Sequence, residues 1–160
     1  MPGFNKERLQ ANIIALSESK NWLVAKLEWE LDFIYRAPAA ETCLCGHSPI
    51  IELCVLINTK NDAKTVVGNV CVKKFMDLCE PSKIFRSFNS IEKNVKKSLN
   101  IAAIKYAFKK GWLTEWEYGF LTNTKGKSFK RLSEKQQFKR EQVNSIIVHQ
   151  IKMAKRPLNL

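Results

Sequence analysis

Apolar residues recur at three- and four-residue steps along two N-terminal stretches, and that period predicts amphipathic helices over residues 5–17 and 20–36. In the second stretch Trp22, Leu23, Lys26, Leu27, Glu30, Leu31, Ile34 and Tyr35 fall at those steps. Trp22, Trp29 and Phe33 add rings, and rings at helical spacing ordinarily pack into a core. Ala37-Pro38 closes the segment, because a proline disfavours helical geometry in the residue before it.

From residue 43 the pattern changes in kind. Cys43-Leu44-Cys45-Gly46-His47 precedes Pro49 and an apolar run over 50–57, which ends in the polar turn Asn58-Thr59-Lys60-Asn61-Asp62. A second short strand over 65–67 leads through Gly68-Asn69-Val70-Cys71 into a helical stretch over 72–78. A knuckle, a hairpin and a helix are thus expected within residues 43–79. Downstream, Ile84, Phe85, Phe88, Ile91 and Val95 stripe a helix that Ser82 opens and that runs to about Ser98. Asn100 can cap a helix over 101–110, with Gly111 at its stop. Thr114 and Glu117 have capping-box spacing for a short helix carrying Trp116, Tyr118 and Phe120. Ser133 and Gln136 repeat that spacing for a last helix of about twenty residues ended by Pro157. Between the two boxes lies the basic turn Lys125-Gly126-Lys127-Ser128-Phe129-Lys130-Arg131.

The chain has 160 residues, 45% of them apolar and 26% charged, which supports a real core and argues against a disordered polymer. That length predicts a single domain, 1–160, with sub-regions 1–42, 43–80 and 81–160. No run approaches the roughly 20 apolar residues that span a bilayer. The first ten residues lack the apolar stretch of a secretory leader. A cytoplasmic chain with reduced thiols is therefore expected.

Charge is distributed unevenly. Residues 81–160 carry 18 Lys/Arg against 5 Asp/Glu, which accounts for the whole formal net charge of +12. Such an excess draws polyanions, nucleic acid first among them. The candidate phosphate contacts are Lys125, Lys127, Lys130, Arg131, Lys135, Lys139 and Arg140. Trp112, Trp116, Tyr118 and Phe129 are interleaved with basic residues, and each either packs helix on helix or stacks on unpaired bases.

Five cysteines in a reducing compartment point to metal or inert burial rather than to disulfides. Zinc takes four soft or borderline donors in a tetrahedron. Cys43, Cys45 and His47 lie within five residues around Gly46, and Cys71 arrives where a helix starts, a place that favours a thiolate. The expected structural Zn2+ ligands are Cys43, Cys45, His47 and Cys71. Cys54, in the first strand, is the alternative to His47 as the fourth donor, and Cys79 is read as bystander packing. One residue, not the usual two, separates the paired cysteines, and the second half offers a single cysteine.

Catalytic patterns are absent: there is no phosphate-binding glycine loop and no dinucleotide fingerprint. Glu41 and Glu52 are the carboxylates nearest the cysteines, without a motif that would make either a general base. His149, on the last helix, has the surroundings of a surface or half-buried residue.

Cys43-x-Cys45-Gly46-His47-x-Pro49-Ile50, Glu52-Leu53-Cys54, Asn58 and Val67-Gly68-Asn69-x-Cys71-Val72-Lys73-Lys74-Phe75 resemble a family of small bacterial and phage proteins with a compact zinc-binding domain. Gly111-Trp112, Trp116-Glu117-Tyr118, Phe120, Arg131-Leu132-Ser133-Glu134-Lys135-Gln136 and Asn144 extend the resemblance over roughly residues 20–150. It implies a zinc-dependent fold and a bacterial or mobile-element setting, and no reaction.

The fold expected is α+β and mainly helical, with a treble-clef-like zinc β-hairpin between N-terminal helices and a C-terminal helical half. The function expected is a non-enzymatic module that binds nucleic acid, RNA or DNA, or a nucleic-acid-bound protein complex. A second expectation is a phage- or mobile-element-encoded inhibitor of a host protein such as a nucleic-acid-guided (CRISPR-type) defence nuclease. A zinc-dependent hydrolase is the third.

Overall fold

In the computed structural model, which describes residues 5–160, Asn5 caps the first helix by accepting a 2.9 Å hydrogen bond from the Arg8 amide. This helix, α1 (Lys6–Leu16), buries Leu9 and Ile13 and ends at Ser17. The helix expected over 20–36 is replaced by something else. One helical turn, α2 (Trp22–Ala25), and a 3-10 turn (Lys26–Glu28) lead into a strand, β1 (Trp29–Glu41). Adjacent residues Ile34 and Tyr35 are both buried, so the strand is covered on two faces in its middle and its apolar positions do not alternate. Periodicity alone cannot separate such a strand from a helix.

Its partner is distant in sequence. β1 pairs antiparallel with β2 (Ile50–Asn58), setting Trp29 against Asn58, Ile34 against Cys54 and Tyr35 against Leu53. β2 pairs in turn with β3 (Lys64–Gly68), setting Cys54 against Val67. The sheet order is β1-β2-β3, so the expected hairpin gains a third strand. β1 is an edge strand, and pairing lapses between Arg36 and Glu41, which is where Pro38 sits without costing a ladder bond. β3 runs directly into α3 (Asn69–Met76), with Cys71 in its first turn.

The fold is thus α+β, with a three-stranded antiparallel sheet and more helix than strand. Residues 5–81 and Ala154–Leu160 form one compact unit, and Ser82–Met153 form a second. In the first unit Tyr35, Ala37, Leu53, Val55 and Val66 form a buried cluster against which Phe33, Ile50, Ala154 and Leu160 pack. Arg156 and the Tyr35 hydroxyl both donate to Glu41 Oε2, at 2.8 and 2.9 Å. The basic stretch expected as 81–160 is therefore divided, its last seven residues belonging with the sheet.

The second unit follows its capping signals. α4 (Glu80–Lys93), which enters from the first unit, buries Ile84, Phe85, Phe88 and Ile91. It stops short of Ser98 because residues 95–97 are drawn into bonds with the last helix. Asn100 caps α5 (Ile101–Lys109) by accepting from the Ala103 amide at 2.9 Å, and Gly111 follows at φ +76°. Thr114 and Glu117 make both bonds of a capping box on α6 (Glu115–Thr124). Ser133 and Gln136 do the same on α7 (Glu134–Met153), which ends four residues before Pro157. No helix among the described residues is long and apolar enough to cross a membrane.

Candidate functional site

The tight turn that opens the site is built by local chemistry. The Cys43 amide donates to the His47 carbonyl at 2.9 Å, the Gly46 amide donates to the Cys43 carbonyl at 2.8 Å, and Gly46 sits at φ +90°. A side chain at that φ is strained, and the Arg8 guanidinium also lies over the Gly46 Cα. The turn aims Cys43 and Cys45 inward, and the β3–α3 junction brings Cys71 to meet them.

The Sγ atoms of Cys43, Cys45 and Cys71 lie within 4.8 Å of one another, and all three residues are buried. Cys71 Sγ stands 3.4 Å from Cys45 Sγ. Two main-chain amides point at sulfur: His47 N–H at Cys45 Sγ, 3.4 Å, and Gly68 N–H at Cys43 Sγ, 3.3 Å. Hydrogen bonding from the Cys71 thiol, aided by the Cys45 and Gly68 amides, holds Cys43 down at about 5. Cys71, which supplies that proton, is pushed up correspondingly. Three converging thiols, two of which receive amide donors, fit a soft divalent cation, which needs them as thiolates. This group of three cysteines can therefore hold a metal ion.

The structure does not bring the imidazole of His47 into that group; its backbone amide is what reaches Cys45. His47 lines a cleft of about 320 Å³ together with Cys43, Pro49, Ile51, Glu52 and Asn69. Cys54 also stays outside the thiol group. It is buried between Ile34 and Val67 in the sheet, and burial, with Glu52 and Cys43 adding to it, raises its thiol far above the ordinary range. It is a small neutral core residue. Cys79 is exposed. Of the two carboxylates weighed as bases, Glu41 is engaged with Tyr35 and Arg156, and Glu52 accepts from Asn69 Nδ2 at 3.2 Å.

The seven basic candidates separate into three kinds. Lys125, Lys127, Lys130, Arg131 and Lys135 are exposed. Lys139 is half-buried, 3.2 Å from Glu117 and over the Trp116 ring. Arg140 is 1% exposed, and this corrects its assignment as a phosphate contact. Its guanidinium donates to the carbonyls of Lys96, Thr124 and Lys127 at 3.3, 2.9 and 2.9 Å, and burial lowers its basicity. One turn on, Asn144 donates to the carbonyls of Val95 and Lys97. Helical patterning hides this pair, because a basic or amide residue on a helix reads as solvated until its loop partners are known.

Comparison of the chain with models of known families, with characterised proteins and with solved structures finds no match in any of the three.

Proposed function

We propose that the chain is a non-enzymatic nucleic-acid-binding module whose first unit is stapled by Zn2+ and whose second unit carries the contact face. The supporting observation for binding is the exposure of Lys125, Lys127, Lys130, Arg131 and Lys135 in a unit that holds 16 Lys/Arg against 5 Asp/Glu. Phosphate contacts need charge and reach rather than fixed geometry, and these five side chains offer both. Knuckle, β2–β3 hairpin and α3 follow one another in treble-clef-like order, with β1 as an added edge strand. Cys43, Cys45 and Cys71 supply thiolates, and His47, which shares a cleft with Cys43, supplies the fourth donor once its side chain turns toward the sulfurs. Bound there, the ion supplies cross-linking of knuckle to helix.

Fluorescence anisotropy of the zinc-supplied protein against labelled single strands and duplex, across a salt series, tests the binding. Micromolar affinity with a steep log–log salt slope is expected. Replacing Lys125, Lys127, Lys130, Arg131 and Lys135 with glutamine abolishes it while leaving the melting curve intact. Undiminished binding by that variant overturns the assignment of the face.

A second reading, a stoichiometric inhibitor of a protein partner such as a nucleic-acid-guided nuclease, is favoured by one observation. Leu23, Val24 and Leu27 of the first unit are exposed large apolar residues within five positions of one another, and exposed apolar surface of that kind marks protein contacts. It predicts weak binding to bare nucleic acid and a complex of fixed stoichiometry.

A further inference from the structure

The aromatic side chains interleaved with the basic residues have different fates in the second unit. Trp112 is edge-on to Tyr106 at 5.7 Å and tilted against Phe88 at 6.1 Å, inside a three-ring cluster. Tyr118 packs on Phe108 at 4.6 Å, and Phe129 lies under the Lys96 ammonium. These rings belong to the packing of the unit. Trp116 differs, being 63% exposed. It lies nearly parallel to Phe120, one helical turn on, at 5.4 Å and 3°. Lys139 Nζ stands 5.4 Å from its ring centroid and bonds both Glu117 and Gln142. On α7, Lys135, Phe138, Lys139 and Gln142 share one face by their three- and four-residue spacing, and Phe138 is 70% exposed.

An indole left largely in water contributes little to the fold, yet here its plane is fixed by a second ring, and charge of both signs surrounds it: Glu115 and Glu117 on its own helix and the Lys139 ammonium from α7. A base in a duplex has both π-faces covered by its neighbours, whereas an unpaired base can lay one face on an indole while its phosphates meet lysines. An apolar protein partner would want the rings and not the Lys139 ammonium beside them. We propose that Trp116, backed by Phe120 and flanked by Lys135 and Lys139, is a stacking platform for an unpaired base of single-stranded nucleic acid. This rests on the nucleic-acid reading above and narrows it to a strand class and a residue.

The experiment compares the full chain with its Trp116→Ala and Trp116→Phe variants on three labelled probes. These are a twenty-nucleotide oligo(dT), an abasic strand of equal length and a twenty-base-pair duplex. Trp116→Ala is expected to weaken oligo(dT) binding roughly 5- to 150-fold, the range one stacked base contributes. Affinity for the abasic strand and the duplex is expected to stay the same, as is the melting temperature, and Trp116→Phe is expected to recover most of the loss. If Trp116→Ala leaves oligo(dT) affinity unchanged, or lowers all three affinities equally, the platform is wrong while the basic-face reading stands. If the unaltered protein binds none of the three probes, that reading falls and the platform with it.

Discussion

The guanidinium of Arg140 donates a 2.9 Å hydrogen bond to the main-chain carbonyl of Lys127, so one basic residue holds up the loop that displays another. Arg140 reaches Thr124 and Lys96 carbonyls as well, which pins the end of α6 and the segment after α4 to α7. Charge, the property that makes these residues look alike in a sequence, is used for opposite purposes here. Buried, it is spent on carbonyl dipoles; exposed, it remains for a partner.

Replacing Arg140 with methionine leaves one buried and two part-buried carbonyls without their donor, and a loss of about 2–4 kcal/mol in urea unfolding is expected. Arg140→Lys does not restore it, because an ammonium cannot span three carbonyls as the planar fork does. Lys127→Gln, by contrast, is expected to change stability by less than about 0.5 kcal/mol and to act on polyanion affinity alone. Equal stability losses for Arg140→Met and Lys127→Gln would contradict this division of roles.

The cysteines make a second set of contrasts. Cys43→Ser, Cys45→Ser and Cys71→Ser are each expected to release bound zinc and to lower the melting temperature of the first unit, since each removes one of three converging sulfurs. Cys79→Ser, at an exposed position, is expected to keep both metal content and melting temperature. Cys54→Ser is expected to keep the metal while costing stability through a polar group in the sheet core. Elemental analysis beside thermal melts reads all five. The fourth donor is read by cobalt absorption spectra, in which His47→Ala shifts the ligand-field bands if the imidazole is bound and leaves them in place if it is not.

How much of this was legible in the sequence depends on the range of the interaction. The Asn100 cap, the Thr114–Glu117 and Ser133–Gln136 boxes and the Gly111 stop are hydrogen bonds within four residues, and their residue types announce them. The cysteine cluster was legible for a similar reason, since a glycine turn and a helix start are local devices. β1 was not, because its hydrogen bonds come from residues 50–58 and its middle is buried on both faces. The same reason hid Arg140 and Asn144, whose partners lie on distant loops, and Glu28, whose side-chain partner Asn58 ends β2. Among the rings, only tertiary packing separates the packed Trp112 from the displayed Trp116.

Glu28 supplies a pH test of the first unit. Its carboxylate accepts from Asn58 Nδ2 at 2.7 Å and from the Glu18 and Ser19 amides at 2.9 and 2.8 Å, tying the α1–α2 connection to the end of β2. The Asn58 bond, with the two amides helping against burial, holds its pKa below the ordinary carboxylate value. A folded-state value below the unfolded one adds stability that is fully present above the unfolded value and is lost as pH falls through the folded one. Stability is therefore expected to decline on acidification below the ordinary carboxylate range, and Glu28→Gln is expected to flatten that limb while lowering stability at neutral pH. An unchanged acid limb in the Glu28→Gln protein would locate the pH dependence elsewhere.

Gly46 tests whether the knuckle's backbone, apart from its ligands, sets metal affinity. At φ +90° a side chain is disfavoured, and a Cβ there would stand 2.5 Å from Arg8 Nη1. The second obstacle is the tip of a flexible side chain, which can swing away, so the backbone conformation carries the cost. Gly46→Ala is expected to cost about 1 kcal/mol or more of stability and to weaken zinc retention against a competing chelator, although no donor atom has been touched. Adding Arg8→Ala to Gly46→Ala removes the contact and leaves the backbone strain. The double variant is therefore expected to stay close to Gly46→Ala in zinc retention. Full recovery in the double variant would mean that crowding by Arg8, and not the left-handed turn, is what reserves position 46 for glycine.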